Sequence, residues 1–256
     1  MKLARIQHKG NPTWAIIEGA DIYGLQGNVY DAFKKGPRLS ALADAKLLAP
    51  AEPSIILCCG LNYMGEIKHM KAEIPQRPSL FFKPPTAVLD PGVELPYPVL
   101  TEKLSHEGEL CCVMKRKARN VSEAEALDYV LGYTCGNDIG MMDVLQLDGA
   151  ITRAKGFDMS AALGPWLETS LDPTNLAIKM TVNDKVIQNS NTREMLFSAA
   201  HIISYISEFM TLRPGDVVFT GTPENGHHIV DAGAVTEVII EGIGTLRTPV
   251  GQKTTA

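Results

Sequence analysis

The chain has 256 residues, and its 24 lysines and arginines against 29 aspartates and glutamates give a net charge of −5 at pH 7. Hydrophobic residues make up 45% of the chain and charged residues 21%, which is typical of a globular protein and excludes a disordered or collagen-like chain. Nucleic-acid binding needs a basic patch, and a membrane span needs about 18 apolar residues in a row. The sequence has neither, so we expect no nucleic-acid or membrane partner.

The N-terminal part is predicted to form a small unit of its own. It contains two short strands, a helical stretch and a Gly-Pro breaker, at 14–17, 21–25, 29–35 and Gly36-Pro37. Two prolines within 49–53 indicate a boundary. We therefore predict a small N-terminal α/β domain over 1–50 and a larger catalytic domain over 51–256.

The larger part is dominated by predicted strands. Apolar runs and alternating patterns predict strands at 54–60, 79–82, 108–114, 176–182, 185–188, 217–220, 235–242 and 245–250. The pair Asn183-Asp184 is a hairpin signal. Helices are predicted at 62–72, 122–129 and 193–211. Because no regular βαβ alternation occurs, the pattern favours an α+β, mainly β fold or β-roll over a doubly wound sheet.

The cysteines predict a reducing environment. There are five of them, in two adjacent pairs and one single position: Cys58, Cys59, Cys111, Cys112 and Cys135. An odd number in adjacent pairs is a poor disulfide framework, and no Cys/His spacing indicates zinc. The first five residues lack the apolar core of a signal peptide. We expect a cytoplasmic protein.

Three acidic residues are candidate metal ligands. Glu107 and Glu109 are two positions apart at the start of a predicted strand, so both project from one face. Paired carboxylates beside an apolar run are costly unless a cation lies between them, and hard divalent ions prefer carboxylate oxygens. Asp138 ends another apolar strand and is a candidate third ligand. The alternatives are a solvated strand end and an Asn-Asp turn.

Glu66 and His69 form a candidate acid–base pair. Their spacing of three residues places both on one face of the predicted helix. A carboxylate beside an imidazole can orient it and raise its basicity, as in a water-activating dyad. An ordinary surface ion pair explains the same spacing.

Two further segments contain candidate polar contacts. Lys155 beside a metal site would neutralise an oxyanion, although a solvated lysine is the simpler interpretation. Thr220-Gly221-Thr222-Pro223 at a strand end offers hydroxyl and backbone N–H groups for a substrate carboxylate, or is simply a tight turn. His227 and His228 fall in a loop and are weaker candidates for ligand contact.

The order of these motifs along the chain resembles the fumarylacetoacetate hydrolase family over about 54–250. The matching residues are Gly60-Leu61-Asn62-Tyr63, Phe82-Lys83, Glu107-Gly108-Glu109-Leu110, Gly132-Tyr133-Thr134, Asn137-Asp138, Gln146, Lys155, Asp158, Gly164-Pro165, Val182-Asn183, Gln188, Asn191-Thr192, Leu212, Pro214-Gly215-Asp216 and Thr220-Gly221-Thr222-Pro223. Within the family, 118–130 and 207–223 look most like bacterial enzymes of homoprotocatechuate breakdown.

The resemblance implies a β-roll of mixed sheets, assembled as a homodimer, with Mg²⁺ or Mn²⁺ held by Glu107, Glu109 and Asp138. It implies a small oxo-acid substrate, with Lys155 near the ion and Glu66 and His69 as the acid–base pair. Tyr63, Gln146 and Thr222 are the implied substrate contacts.

The expected reaction is C–C hydrolysis of a 2,4-dioxo acid of the acylpyruvate type through a metal-stabilised enolate. The alternatives are a decarboxylase or isomerase of a 2-oxo or 2-hydroxymuconate-type acid, and a catalytically degenerate member that only binds ligands.

Two departures from the family pattern bear on the substrate and the mechanism. The family has His and then Glu where this chain has Glu66 and then His69, so the pair is reversed. The family usually has Arg where Met142 stands, and loss of a guanidinium removes a contact to an acidic group. Met142 instead predicts an apolar wall and a less acidic substrate than fumarylacetoacetate.

Overall fold

The computed structural model describes residues 1–253 of the chain, so residues 254–256 of the predicted second domain lie outside it. The strands are β1 (Lys2–His8), β2 (Asn11–Glu18), β3 (Asp21–Gly27), β4 (Phe33–Ala41), β5 (Leu47–Leu48), β6 (Ile56–Gly60), β7 (Ser79–Lys83), β8 (Val88–Leu89), β9 (Leu104–Ser105), β10 (Gly108–Met114), β11 (Val130–Asp138), β12 (Gly140–Met141), β13 (Ala161–Glu168), β14 (Ala177–Val182), β15 (Lys185–Asn191), β16 (Val217–Phe219), β17 (Val235–Ile240) and β18 (Gly244–Pro249). The α-helices are α1 (Met64–His69), α2 (Met142–Asp148), α3 (Ile151–Lys155) and α4 (Ala199–Phe209).

Three sheets build the fold, and the largest of them contains both parallel and antiparallel pairs. The largest has twelve strands, ordered β4-β3-β2-β1-β13-β11-β10-β16-β6-β7 with β5 and β8 attached beside it. Most neighbours are antiparallel, whereas β16 with β6 and β13 with β8 are parallel. A four-stranded sheet has the order β15-β14-β17-β18, and β9 pairs with β12. The prediction of a mainly β fold with mixed sheets is confirmed.

The main core lies between the large sheet and the four-stranded sheet. Buried Leu110 and Cys112 of β10 belong to the same apolar cluster as Met180 of β14 and Val238 of β17. Helix α4 adds its apolar face to this cluster. Burial of such side chains contributes about 1.5–3 kcal/mol each, so this cluster fixes the position of β10 and its neighbours.

The N-terminal strands continue the large sheet across the predicted boundary. β1 pairs antiparallel with β13, where Lys2 lies opposite Glu168. A separate small cluster of buried side chains fills this end of the sheet, namely Ala4, Ile6, Ala15, Ile17 and Ile22.

The predicted helix over 29–35 is wrong, because the chain turns at Val29 and then forms β4. The predicted breaker Gly36-Pro37 lies inside β4, which is the edge strand of the large sheet. The register shifts between Tyr23 and Leu25 of the neighbouring strand, so Gly36-Pro37 occupies an irregularity. An edge strand tolerates proline at such a place because no ladder hydrogen bond is lost.

Of the remaining predicted helices, two are present but shorter than predicted and one is absent. At 62–72 only α1 is helical, because the Asn62 side chain bonds the backbone of Phe197 and Thr220 instead. At 122–129 a 3₁₀ turn (Ala126–Tyr129) replaces the helix, since Ser122 Oγ bonds Glu125 Oε2 rather than a backbone N–H.

The predicted helix over 193–211 begins six residues later than expected. Ser198 caps α4 by accepting from His201 N at 3.0 Å. A separate 3₁₀ turn, Thr192–Glu194, precedes it.

Two further local predictions are confirmed. The strand over 108–114 is observed with the predicted bounds, and Asn183 and Asp184 both have positive φ in the turn between β14 and β15. All five cysteines are free and buried. None of the helices within 1–253 has the length and apolar character to cross a membrane.

Gly136 is the tightest close approach next to the site. A Cβ at this position in β11 would clash with Cys111 Sγ and lie 2.5 Å from Phe219 Cε1. We predict that Gly136→Ala lowers the free energy of unfolding by about 1–3 kcal/mol, measured by urea denaturation. Gly60→Ala is the control, since the nearest atom to its Cβ is Ser79 O at 3.8 Å. Equal stability of the two variants would contradict this packing.

Candidate metal centre

Two antiparallel neighbours in the middle of the large sheet bring three carboxylates together. Glu107 directly precedes β10, Glu109 is its second residue, and Asp138 ends β11. Glu109 lies opposite Gly136, and Asp138 N donates to Glu107 O at 2.9 Å. As a result, one carboxylate oxygen from each of Glu107, Glu109 and Asp138 lies within 4.8 Å of the others.

The three carboxylates are buried, each at most 5% exposed. Glu109 Oε2 accepts from Gly221 N at 2.6 Å, so the Thr220–Pro223 turn contacts the cluster directly. Burial raises the pKa of Glu109 well above its usual value, and the neighbouring Asp138 and Glu107 charges add to that rise. A buried carboxylate whose pKa is raised by neighbouring negative charges is one that a bound cation stabilises.

Two buried lysines supply part of the compensating charge. Lys155 Nζ lies 2.7 Å from Glu107 Oε1 and 3.1 Å from Asp138 Oδ2. Lys83 Nζ lies 2.6 Å from Asp138 Oδ1 and donates to the carbonyls of Ile139 and Ser160. Burial opposes ionisation of Asp138, but the two lysines outweigh it and hold the pKa of Asp138 below its usual value.

The donor set fits a hard divalent cation. The three side chains offer only carboxylate oxygens, which Mg²⁺ and Mn²⁺ accept and soft metals do not favour. With Glu66, which lines the same cavity, the site has four carboxylates and two lysines. Two negative charges remain in excess, or one when His227 is protonated, and a bound cation would offset this excess.

A cavity of about 260 Å³ leads to these carboxylates, and Glu66 and His227 face each other inside it. Glu66 and Ile67 are the buried residues of α1. Glu66 Oε1 lies 3.3 Å from His227 Nδ1, and Glu66 Oε2 accepts from Gly226 N at 3.2 Å. His227 Nε2 in turn lies 3.5 Å from Glu107 Oε1. The Glu66 carboxylate raises the pKa of His227.

Six of the nine predicted site residues line this one cavity. They are Glu66, Glu107, Glu109, Asp138, Lys155 and Thr222. Thr222 Oγ1 accepts from Gln188 Nε2 at 2.8 Å and donates to Gly108 O at 3.2 Å, which holds the turn against β10.

The structure separates the other three from the carboxylates. His69 is exposed at the end of α1 and lines an outer hollow, so it does not form the predicted pair with Glu66. His69 is three positions after the buried Glu66, but it is the last residue of the six-residue helix α1. A helix that packs on one side only leaves such a terminal residue free to face solvent. Gln146 is exposed on α2, and Tyr63 is buried but lines a neighbouring hollow of about 420 Å³.

Met142 also differs from its prediction. It lies half-buried at the start of α2 and is not among the residues that line the cavity. The apolar surface that it was expected to supply comes instead from Leu145, one turn further along α2, and Ile151 of α3.

Sequence reasoning gave no role to Lys83 and too little weight to His227. Lys83 ends β7 directly before Pro84-Pro85, and its place among the family-like motifs was the available signal. His227 follows the Thr220–Pro223 motif closely enough to belong to the same loop, whereas His69 was closer to Glu66 in sequence. Nearness along the chain favoured His69, which lies outside the cavity that contains Glu66.

The fold and the buried carboxylate cluster define a mainly β protein with a candidate metal site, and comparison with known proteins narrows the class. The family model described as fumarylacetoacetate (FAA) hydrolase C-terminal matches residues 55–251. The model described as Rv2993c-like, N-terminal matches residues 1–50. The chain belongs to the fumarylacetoacetate hydrolase family.

Three similar proteins cover most of the chain. An uncharacterized protein of Archaeoglobus fulgidus is 43% identical over 80% of this chain and 82% of its own. The structure of 2-hydroxyhepta-2,4-diene-1,7-dioate isomerase from Mycobacterium marinum is 37% identical, covers 100% of both chains and has a TM-score of 0.92. The oxaloacetate tautomerase FAHD1 of Bos taurus is 40% identical over 66% of this chain and 79% of its own.

We predict that the wild-type chain takes up one equivalent of Mn²⁺ in isothermal titration calorimetry. Glu109→Gln keeps an acceptor for Gly221 N but removes one anionic ligand, so its affinity for Mn²⁺ should fall by at least about tenfold. Glu73→Gln makes the same change of charge at an exposed position and should bind as wild type does. Equal affinity in all three proteins would show that the carboxylate cluster is not the ion site.

Proposed function

We propose that this chain catalyses keto–enol isomerisation of a small 2-oxo acid at a Mg²⁺ or Mn²⁺ site held by Glu107, Glu109 and Asp138. The observation that carries the proposal is the Glu66–His227 pair, a buried carboxylate and an imidazole inside the cavity that ends at the three ligands. Similarity to proteins named as an isomerase and an oxaloacetate tautomerase supports the same reaction class.

Glu66 has the properties of the base in this reaction. Its Oε1 is buried, and among the described residues no donor forms a well-aligned hydrogen bond with this atom. We assign Oε1 to remove a proton from C3 of the substrate, and the electrons of the broken C–H bond then form the C2–C3 double bond of the enol. Gly226 N bonds the other oxygen, Oε2, and so orients the carboxylate.

His227 and Lys155 act at the oxygen end of the substrate. His227, protonated beside Glu66, gives a proton to O2 as the enol forms and takes it back in the reverse direction. The Lys155 ammonium group stabilises the negative charge that develops on O2. A divalent ion, when bound, polarises the 2-oxo group as a Lewis acid. We assign the backbone N–H of Thr222 to the substrate carboxylate, because the Thr222 hydroxyl already donates to Gly108 O and Gly221 N donates to Glu109.

C–C hydrolysis of an acylpyruvate-type acid is the second candidate. The same Glu66–His227 pair would activate water in place of C3–H, and the leaving pyruvate enolate would use the same oxyanion contacts. Isomerisation requires fewer groups in the site than hydrolysis does, because it needs no ordered water molecule. Incubation with acetylpyruvate separates the two: hydrolysis yields acetate and pyruvate, whereas isomerisation changes only the tautomer.

The isomerase proposal predicts exchange of the C3 protons of 2-oxobutanoate in D₂O with Mn²⁺, followed by proton NMR. Glu66→Gln should slow this exchange by about 10²–10⁴-fold, the usual contribution of a general base, while its Mn²⁺ affinity should fall less than that of Glu109→Gln because Glu66 is not one of the three ligands. If the wild-type protein binds Mn²⁺ but accelerates neither exchange nor acetylpyruvate cleavage, the chain is a ligand-binding member and the proposal is wrong.

A matched pair of histidine variants tests which imidazole takes part. His227→Asn should slow C3 exchange by about 10²-fold or more, because it removes the partner of Glu66. His69→Asn should retain the wild-type rate, since His69 is exposed and outside the cavity. The opposite ranking, with His69 required and His227 dispensable, would restore the pair that the sequence suggested.

A further inference from the structure

We infer that this cavity selects 2-oxo acids whose distal end is uncharged and apolar, and discriminates against dicarboxylates. The inference rests on the proposed function for the placement of the 2-oxo acid head group. It depends on a division of the cavity surface into two unlike ends, one charged and one apolar.

The inner end of the cavity is charged and buried. Glu66, Glu107, Glu109, Asp138 and Lys155 are each at most 5% exposed. The carboxylate and 2-oxo oxygens of a substrate therefore fit this end, where a divalent ion and Lys155 would meet them.

The outer end of the cavity is apolar. Its side chains come from four separate segments of the chain. Met70 is 46% exposed and Ile151 is 37% exposed, so these two side chains lie at the opening of the cavity. The apolar lining consists of Leu61, Met70, Phe81, Leu145 and Ile151. Ser79 of β7 also lines the cavity, and its side chain is polar but uncharged.

The cavity has no spare cation for a second carboxylate. Within the described part of the chain its lining contains no arginine, and Lys155 and His227 are its basic residues. Lys155 already contacts Glu107 and Asp138, and His227 lies between Glu66 and Glu107.

A distal carboxylate would therefore lose water against apolar side chains without gaining a partner, which is costly. With a divalent ion and a protonated His227 in place, the head-group carboxylate of the substrate already completes the charge balance, so a second anion would add unbalanced negative charge. An apolar substrate tail at the same place would instead bury its surface against the apolar lining, which stabilises the complex.

Two acids of equal size test this preference. 2-Oxoglutarate and 5-methyl-2-oxohexanoate share the head group and the chain, and differ in a terminal carboxylate against an isopropyl group. Calorimetric titration of the Mn²⁺-loaded protein should show at least tenfold tighter binding of 5-methyl-2-oxohexanoate. Equal or tighter binding of 2-oxoglutarate, or no binding of either acid, would overturn the inference.

A positive charge introduced at the opening of the cavity tests whether the apolar lining causes the preference. Met70→Lys should improve the affinity for 2-oxoglutarate relative to 5-methyl-2-oxohexanoate by about tenfold, because a partly exposed position accepts a lysine and the new cation faces the cavity. Leu147→Lys makes the same charge change at a side chain that is 78% exposed and outside the lining, and it should leave the ratio unchanged. An equal effect of both variants would attribute the preference to net charge and refute a role for the apolar lining.

Measuring C3 exchange on the same samples separates the inference from the proposed function. Retained preference without exchange of either acid would contradict the isomerase proposal and leave the specificity intact. Exchange of the C3 protons of both acids, bound with equal affinities, would support the isomerase proposal and contradict the inferred specificity.

Discussion

Burial of three carboxylates at one point is the constraint that organises this protein. Like charges within 4.8 Å in a buried site are unfavourable unless positive charge lies among them. Lys83 and Lys155 provide part of that charge, each through contacts to Asp138. The remaining excess of negative charge, with Glu66 included, is what a divalent cation neutralises. The fold therefore has a reason to bind a metal before any substrate is considered.

The sheet architecture makes this arrangement rigid. β10 and β11 are central neighbours in the large sheet. Backbone pairing on both sides fixes the end of β11 that carries Asp138, and pairing with β11 fixes Glu109 at the start of β10. The acid–base pair has a different support. Glu66 comes from the six-residue helix α1 and His227 from a loop, which joins a rigid ion site to shorter, less constrained segments. Such a division suits a reaction in which the head group is held and a proton is moved beside it.

The parts that sequence predicts well are those governed by local pattern. The alternation and apolar runs of β10 and the Asn183-Asp184 turn follow from side-chain periodicity and positive-φ chemistry, and both are observed. The metal triad was predictable because two of its members share a strand face. The histidine was not, since pairing with Glu66 depends on a loop 160 residues away rather than on helical spacing. The helices at 29–35 and 122–129 failed for a related reason, because edge pairing and a Ser122–Glu125 contact outweighed local propensity.

The most direct measurement is an anomalous difference map from a crystal of this protein soaked in Mn²⁺. The account predicts one strong peak at coordination distance from carboxylate oxygens of Glu107, Glu109 and Asp138, within the cavity that Glu66 and His227 line. A peak bound by other residues, or three carboxylates that remain bonded only to Lys83, Lys155 and Gly221 at saturating Mn²⁺, would contradict it.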